Sequence, residues 1–270
     1  MNTPVACVAF KGYRTSIFKA LDLIGAADIL SEKKKILIKP NLVDDIAPPF
    51  TTPVECITAI ILYIREHSRA EITIAEGAGG DETDVLFKKY GYVQMAKKVQ
   101  VGLVDLNQAT EVCARNEAAL VVKEFFYPAL LKNNFIITVP TLKAHSMTQV
   151  TLGLKSMIGI APPRHYERSG NFKKSRLHGK NNSELHKIIF DINAYIKPDL
   201  TIIDASVGCA EAHLWGKLCN PPRGKIIASF DVVGADSIGV RELGFSWDAV
   251  EHIRLAHGVL GDADNIDILN

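Results

Sequence analysis

The 270-residue chain contains five cysteines, at positions 7, 56, 113, 209 and 219, and no Cys-x-x-Cys pair. Thiolates that hold zinc or iron–sulfur clusters arrive in closely spaced pairs or runs, so no iron–sulfur cluster is expected within this chain. An odd count scattered through apolar segments suits reduced thiols better than a disulfide frame. Charge of one sign is lacking too. Lys plus Arg number 31 against 30 Asp plus Glu, a formal net charge of +1, and no global field points toward nucleic acid or a membrane surface. No apolar run approaches the roughly 18 to 20 residues that cross a bilayer. The start, Met1-Asn2-Thr3-Pro4, lacks the basic region and apolar core of a signal peptide. A cytoplasmic protein with neither nucleic acid nor membrane as partner is the expectation.

Familiar catalytic signatures are missing as well. There is no His-Glu-x-x-His helix, no Gly-x-Ser-x-Gly elbow and no Gly-Lys-Ser/Thr after a glycine-rich turn. The eight histidines show no metal-ligand spacing. Gly77-Ala78-Gly79-Gly80-Asp81-Glu82 carries Glu82 where a dinucleotide fingerprint needs glycine, and Glu76, Asp81 and Glu82 would repel a pyrophosphate. That turn instead offers carboxylates for a metal or for hydrogen bonds, or is a plain tight turn.

What the chain does have is alternation. Strand-like runs at Val5 to Phe10, Lys35 to Lys39, Glu71 to Ala75, Val101 to Asp105, Leu120 to Phe126, Phe135 to Val139, Leu200 to Ile203 and Lys225 to Ser229 are separated mostly by helical patterns. Helices are predicted over Ser16 to Leu30, Pro53 to His67, Thr83 to Tyr90, Val93 to Val99, Thr148 to Ile158, Ser183 to Ile196, Val232 to Leu243 and Trp247 to His257, and Asn265 to Leu269 is a candidate edge strand. This is an α/β pattern with a mostly parallel sheet flanked by helices, in one domain over 1–270 with possible lobes 1–134 and 135–270.

Parallel strands end on one edge, and several of these end in polar residues. The ends carry Lys39 and Asn41, Glu76, Lys143 and His145, Asp204, and Asp231. Singly, Lys39 reads equally as a solvated lysine and Asp204 and Asp231 as turn or helix-cap residues. Together they suggest a shared crevice. The predicted helix from Thr148 places Thr148, Thr151 and Lys155 on one stripe, with Lys155 leaning back toward the mouth flanked by His145. Amides at the helix start would help to hold an anion there. Arg164, His165, Arg168, Lys173, Lys174, Arg176, His178 and Lys180 form a basic loop with Gly170 and Gly179 as flexible points. It either closes over an anionic substrate or is a solvated surface. Its two aromatics, Tyr166 and Phe172, are too few for a nucleic-acid stacking platform.

Lys39-Pro40-Asn41, Thr51-Thr52-Pro53, Glu76-Gly77, Val139-Pro140-Thr141-Leu142-Lys143-Ala144-His145, Thr151 through Gly159, and Ile226 through Asp231 with Asp236 occur in that order. In these motifs the chain resembles the DUF362 family, proteins of unknown function often found with iron–sulfur modules, over about Lys35 to Gly244. Many members carry a ferredoxin-like run of cysteines; this chain does not, so no cluster carries over. A fainter resemblance is to the nickel-dependent lactate racemase family, whose histidine and lysine ten residues later would correspond to His145 and Lys155. In that family the lysine tethers an organic nickel cofactor and histidines shuttle the proton; here threonines, Gln149 and Val150 replace its glycine-rich segment.

Three functions are therefore open. The first is a small anionic molecule bound at the strand ends and subjected to acid–base chemistry, with His145 as acid–base group and Lys155 as a catalytic cation. Lys39, Asn41, Thr52, Lys143, Thr148 and Thr151 would bind the ligand, and Glu76, Asp81, Asp204 and Asp231 would orient groups or hold a metal. The second is an accessory protein docking on an iron–sulfur redox partner through the basic loop. The third is a metal-dependent racemase or lyase. The cofactor is left open.

Overall fold

In the central strands consecutive residues are apolar, because both faces of the sheet are covered. Leu37, Ile136 and Ile203 face one core, while Ile36, Ile38, Ile137 and Ile202 face the other. That is the pattern of a sheet with helices on each side. The computed structural model describes residues 2–168, 173–212 and 214–270. Gly170 and Phe172 of the basic loop lie outside the described residues, as does Met1.

The strands are β1 (Thr3–Ala9), β2 (Lys35–Pro40), β3 (Glu71–Glu76), β4 (Gly102–Asp105), β5 (Glu111–Arg115), β6 (Glu124–Pro128), β7 (Phe135–Val139), β8 (Thr141–His145), β9 (Gln149–Thr151), β10 (Leu200–Cys209), β11 (Lys225–Ser229) and β12 (Ile266–Leu269). The main row is β12-β1-β11-β10-β7-β2-β3-β4, and β8 and β9 extend it beside β10. β11 runs against both its neighbours, while the other pairs of the row are parallel. The fold is thus α/β, with a large, mostly parallel sheet flanked by helices. β5 and β6 form a separate two-stranded sheet, where the sequence suggests at most one strand, over Leu120 to Phe126.

One difference governs the site. Residues Thr148 to Ile158 are not one helix. After Pro140 the chain continues as β8, turns at Ser146–Thr148 and returns as β9, pairing Lys143 with Thr151 and His145 with Gln149. Only then does a short helix form, Gly153–Ser156, followed by a 3-10 turn, Met157–Ile160. Apolar Leu142, Ala144, Val150 and Leu152 alternate with polar neighbours, which is the period of a hairpin. Gln149 adopts a left-handed φ of 62°, so a continuous helix through it is broken. Ser16 to Leu30 likewise divides at Gly25, φ 68°, into Tyr13–Leu23 and Ala26–Ser31.

Two buried carboxylates fasten backbone to helices. Asp191, on the helix Asn182–Tyr195, accepts from the amides of Leu120, Val121 and Val122 at 2.8, 2.6 and 2.8 Å. Asp236, on the helix Val232–Glu242, accepts from Gly153 at 2.7 Å and Leu154 at 2.9 Å. Asp236 therefore supplies the acceptors that the start of the short helix lacks. A Cβ on Gly153 would lie 2.9 Å from Asp236 Oδ1, Thr201 Cγ2 and Val232 Cγ2. The glycine is there because the contact leaves no room for more.

Asp236→Ala should leave two buried amides unpaired and cost roughly 2–4 kcal/mol in urea unfolding. Ser237→Ala, which removes one hydroxyl-to-carbonyl bond of the same helix, should cost about 1 kcal/mol. Equal losses would remove Asp236 from its anchoring role.

Candidate functional site

Above the carboxyl ends of β2 and β3, a cavity of 390 Å³ opens between the β8–β9 hairpin, the segment 155–159 and the basic loop. Lys39 and Asn41 reach it from β2, Glu76 and Gly77 from β3, and His145 and Thr151 from the hairpin. Lys155, Ser156 and Gly159 come from the short helix and its 3-10 extension, and Lys173, Lys174 and His178 from the basic loop. Four lysines and two carboxylates, Asp44 and Glu76, line the space.

Most of these groups are paired within the wall. Lys39 and Glu76 form a buried ion pair at 3.0 Å. Glu76 also accepts from the amides of Leu42 at 3.1 Å and Gly77 at 2.7 Å. Two glycines let the backbone close over this pair. A Cβ on Gly159 would fall 2.7 Å from Glu76 Oε1 and 2.9 Å from Lys39 Nζ, and one on Gly77 would fall 2.4 Å from the Gly159 carbonyl. Lys174 donates to the Gly77 carbonyl and to that of Gly159 at 2.8 Å. Burial pushes its amine down to about 7.

Lys155 differs. It has no hydrogen-bond or ion-pair partner among the described residues, and burial pushes its amine down to about 8. On the same wall the Thr151 hydroxyl is buried with no hydrogen-bond partner among the described residues. A buried hydroxyl without a hydrogen bond is costly in such a wall.

The two imidazoles are held in opposite senses. His145 Nδ1 accepts from the amides of Met147 at 3.1 Å and Thr148 at 3.3 Å, which places its ring proton on Nε2. His178 Nδ1 faces the Lys174 carbonyl at 3.4 Å, an oxygen that only accepts, and a proton on Nδ1 suits that contact. Burial first, and the Lys155 ammonium second, hold the His178 imidazole below its ordinary range.

The structure gathers part of the predicted set and disperses the rest. Lys39, Asn41, Glu76, His145, Thr151 and Lys155 share the cavity. Lys143 lies beneath it, its Nζ donating to Asn41 Oδ1 at 2.5 Å and the Phe50 carbonyl at 2.7 Å. Burial, then the Lys155 charge, push it down to about 7. Thr52 is structural: its hydroxyl joins the Asn41 amide at 2.8 Å to the Val139 carbonyl at 2.6 Å. Thr148 is turned to the Val150 carbonyl at 3.1 Å, because it sits in a turn and not on a helical stripe. Asp81 is exposed at the end of the glycine turn. Asp204 is buried against Tyr13, whose hydroxyl donates to it at 2.9 Å, away from the cavity. Asp231 is at the opposite edge, because β11 is antiparallel; there it caps a helix through the amides of Val233 at 2.8 Å and Gly234 at 3.0 Å. His178 and Lys174, noticed in the sequence only as part of a basic run, belong to the cavity wall.

Of the basic residues, Lys174 is buried and His165, Lys173 and His178 are half-buried, while Arg164, Arg168, Arg176 and Lys180 are exposed. Lys173 pairs with Glu82 at 2.8 Å, and Arg164 and His165 both meet Glu111 at 2.7 Å. A nickel centre, which the racemase resemblance implies, was tested against the donors present. Lys155 suits a tether, but no group of three or more His, Cys, Asp or Glu side chains gathers among the described residues. His145 Nδ1 is also taken by two amides. These donors do not fit a metal held by the chain's own side chains.

Glu76→Gln, which strands Lys39 in the interior, should destabilise the protein by about 3–5 kcal/mol. Lys155→Met, which breaks no bond, should leave the urea midpoint unchanged or raise it. A large loss of stability in Lys155→Met would mean that the amine is structural.

Known proteins resemble this chain in three ways. A thylakoid-associated protein of Synechocystis sp. (strain ATCC 27184 / PCC 6803 / Kazusa) is 23% identical over 227 residues, 79% of this chain and 64% of that protein. The lactate racemase apoprotein from Thermoanaerobacterium thermosaccharolyticum has a similar fold, with a TM-score of 0.52 and 13% identity over 88% of this chain and 56% of that one. The chain thus spans less than two thirds of either. No helix among the described residues is long and apolar enough to cross a membrane. The domain of unknown function DUF362 matches residues 36–241, and the chain belongs to that family.

Proposed function

We propose that the cavity binds a small organic anion and transfers a proton at a carbon next to a carbonyl. The observation that carries this reading is Lys155, a half-buried amine in the cavity wall with no ion-pair or hydrogen-bond partner among the described residues, on the same wall as the buried Thr151 hydroxyl, which also has none there. A carboxylate satisfies both. For a 2-oxo acid the roles of the imidazoles follow from their tautomers. His178 takes the α-proton on Nε2, the C–H electrons form a C=C bond while the carbonyl π pair moves onto oxygen, and the Nε2–H of His145 stabilises the enolate. A neutral imidazole acting as hydrogen-bond donor is a known solution to this problem. His145 is then the electrophile and His178 the base, which divides the acid–base role first assigned to His145 alone.

The likeness in fold to lactate racemase favours a second reading of the same cavity, inversion at a carbon that bears a proton. It uses the same lysine and imidazoles and differs in giving both enantiomers from one. The docking reading draws less support, because Arg164, His165, Lys173 and Lys174 are engaged within the chain.

Pyruvate in deuterium oxide should exchange its methyl protons in the presence of the protein, followed by proton NMR. His178→Asn should slow exchange by roughly 10²–10⁴-fold with pyruvate still bound. Exchange at the wild-type rate would overturn the assignment. Affinity should also depend on pH in a fixed direction. Lys155 carries its charge below about 8 and loses it above, so pyruvate affinity should fall about tenfold from pH 7 to pH 9. The carboxylate does not titrate in that window. Lys155→Met should bind weakly and show no such slope by calorimetry.

A further inference from the structure

Two imidazoles outside the cavity wall are buried against each other. His186 lies on the helix Asn182–Tyr195 and is 5% exposed; His252 lies on the helix Glu251–Ala256 and is fully buried. Their rings stack with centroids 5.0 Å apart, and the two Nδ1 atoms are 2.8 Å apart. His186 Nδ1 also accepts from the His252 backbone amide at 3.1 Å. That amide stands in the first turn of its helix, where Val250 offers no side-chain cap. The imidazole supplies the acceptor that the turn lacks.

These contacts suit two neutral rings. An atom that accepts from an amide carries a lone pair, so the proton between the two Nδ1 atoms belongs to His252. His252 Nε2 then holds a lone pair, buried with no hydrogen-bond partner among the described residues. A further proton has no good place. On His186 it must go to Nδ1, which takes the acceptor from the amide and sets N–H groups against one another. On His252 it must go to Nε2, which puts a charge and a donor in an interior that offers no acceptor there. Burial, first in each case, holds both imidazoles below their ordinary range. Glu251 opposes that effect at His186, where Arg254 and Lys155 add to it; at His252 the additions come from His186 and Lys155. The helix Val232–Glu242 and the turns Met157–Ile160, Ser175–His178 and Trp247–Ala249 also pack on these two helices. Among the described residues they bring no further charge to bear on either ring.

We infer that the joint between the two helices is an acid-sensitive switch, closed while both imidazoles are neutral and opened by the protons that the released rings take up. Released rings bind protons near the ordinary imidazole value of about 6.5, and the closed joint binds them only at lower pH. The open form thus holds more protons as pH falls. Closure is complete above about 6.5 and is lost below it, by up to about tenfold per pH unit for each ring. The joint also backs the cavity. Asn193, on the same helix as His186, donates to the Leu154 carbonyl at 2.8 Å, one residue before Lys155.

Amide hydrogen exchange followed by NMR from pH 7.5 to pH 5, corrected for intrinsic rates, tests the switch. The amides of Ile253 to Ala256 should lose protection by roughly 10²-fold, while those of Ile36, Leu37 and Ile38 in β2 stay protected. His186→Asn combined with His252→Asn keeps an acceptor and a donor near the two Nδ1 positions and does not titrate. In that variant the loss should vanish, with a thermal midpoint at pH 8 matched to the wild type. His257→Asn is the control, because His257 closes the same helix and accepts from the Ala263 amide at 3.1 Å; the loss should persist in it. If the paired variant does not fold, ring C–H shifts of the wild type decide, with both rings expected to titrate below about 6. Rings that titrate at 6.5 or above, flat protection in the wild type, a loss that survives the paired variant or disappears in His257→Asn, or β2 opening in step would each overturn the switch. None of these outcomes bears on anion binding in the cavity.

Discussion

The ion pair between Lys39 and Glu76 is the constraint on which the site depends. Two charges buried 3.0 Å apart each carry a desolvation cost of several kcal/mol, which mutual attraction offsets only when the remaining lone pairs are also satisfied. Glu76 meets that condition by taking the amides of Leu42 and Gly77. Each bond brings a different segment to the same place: β2, the turn after it, and the turn after β3. Gly159 then packs its backbone onto the pair where any side chain would collide. Lys174 ties the Gly77 and Gly159 carbonyls together from the other side. The cavity floor is thus a closed set of mutual hydrogen bonds, and little of it is free to answer a ligand.

This division of labour separates the fully buried lysines from the half-buried Lys155. Lys39, Lys143 and Lys174 are satisfied by a carboxylate or by oxygen acceptors of the wall and act as structural amines. Lys155 is set apart by what holds it: the short helix that carries it is pinned at Gly153 and Leu154 by Asp236 from a separate helix. The amine is placed by the backbone and not by a partner. A group positioned in that way keeps its full interaction capacity for whatever enters.

The sheet was legible in the sequence because it follows from simple periodicity. Ile36-Leu37-Ile38 and Phe135-Ile136-Ile137 are continuous apolar runs of the kind only a doubly covered sheet uses, and they end at Lys39 and Pro140. The hairpin was legible too but misread. Polar and apolar residues alternate from Thr141 to His145 and again through Leu152, yet the helical spacing of Val150, Leu154, Met157 and Ile158 competed with that alternation. Asp231 was misplaced for a topological reason. No helical pattern separates Ile203 from Lys225, and a parallel return normally needs a crossover helix. An antiparallel β11 follows, with its end on the far edge. His178 and Lys174 were hidden because a run of basic residues says nothing about which members point inward.

Under the proposed function, the depressed amines would couple the proton to the ligand in the following way. Desolvation alone brings Lys155 to about 8, close enough to neutrality that an entering carboxylate changes the charge state of the wall. The anion stabilises the ammonium and so raises its affinity for the proton, and by linkage the proton raises the affinity for the anion. Charging the amine also bears on His178, which the Lys155 charge already helps to keep neutral. A carboxylate that neutralises that charge relieves part of the restraint on the imidazole. Its Nε2 then becomes more basic when a substrate is present than when the cavity holds only water. The same ion pair that binds the ligand would thereby prepare the base that acts on it.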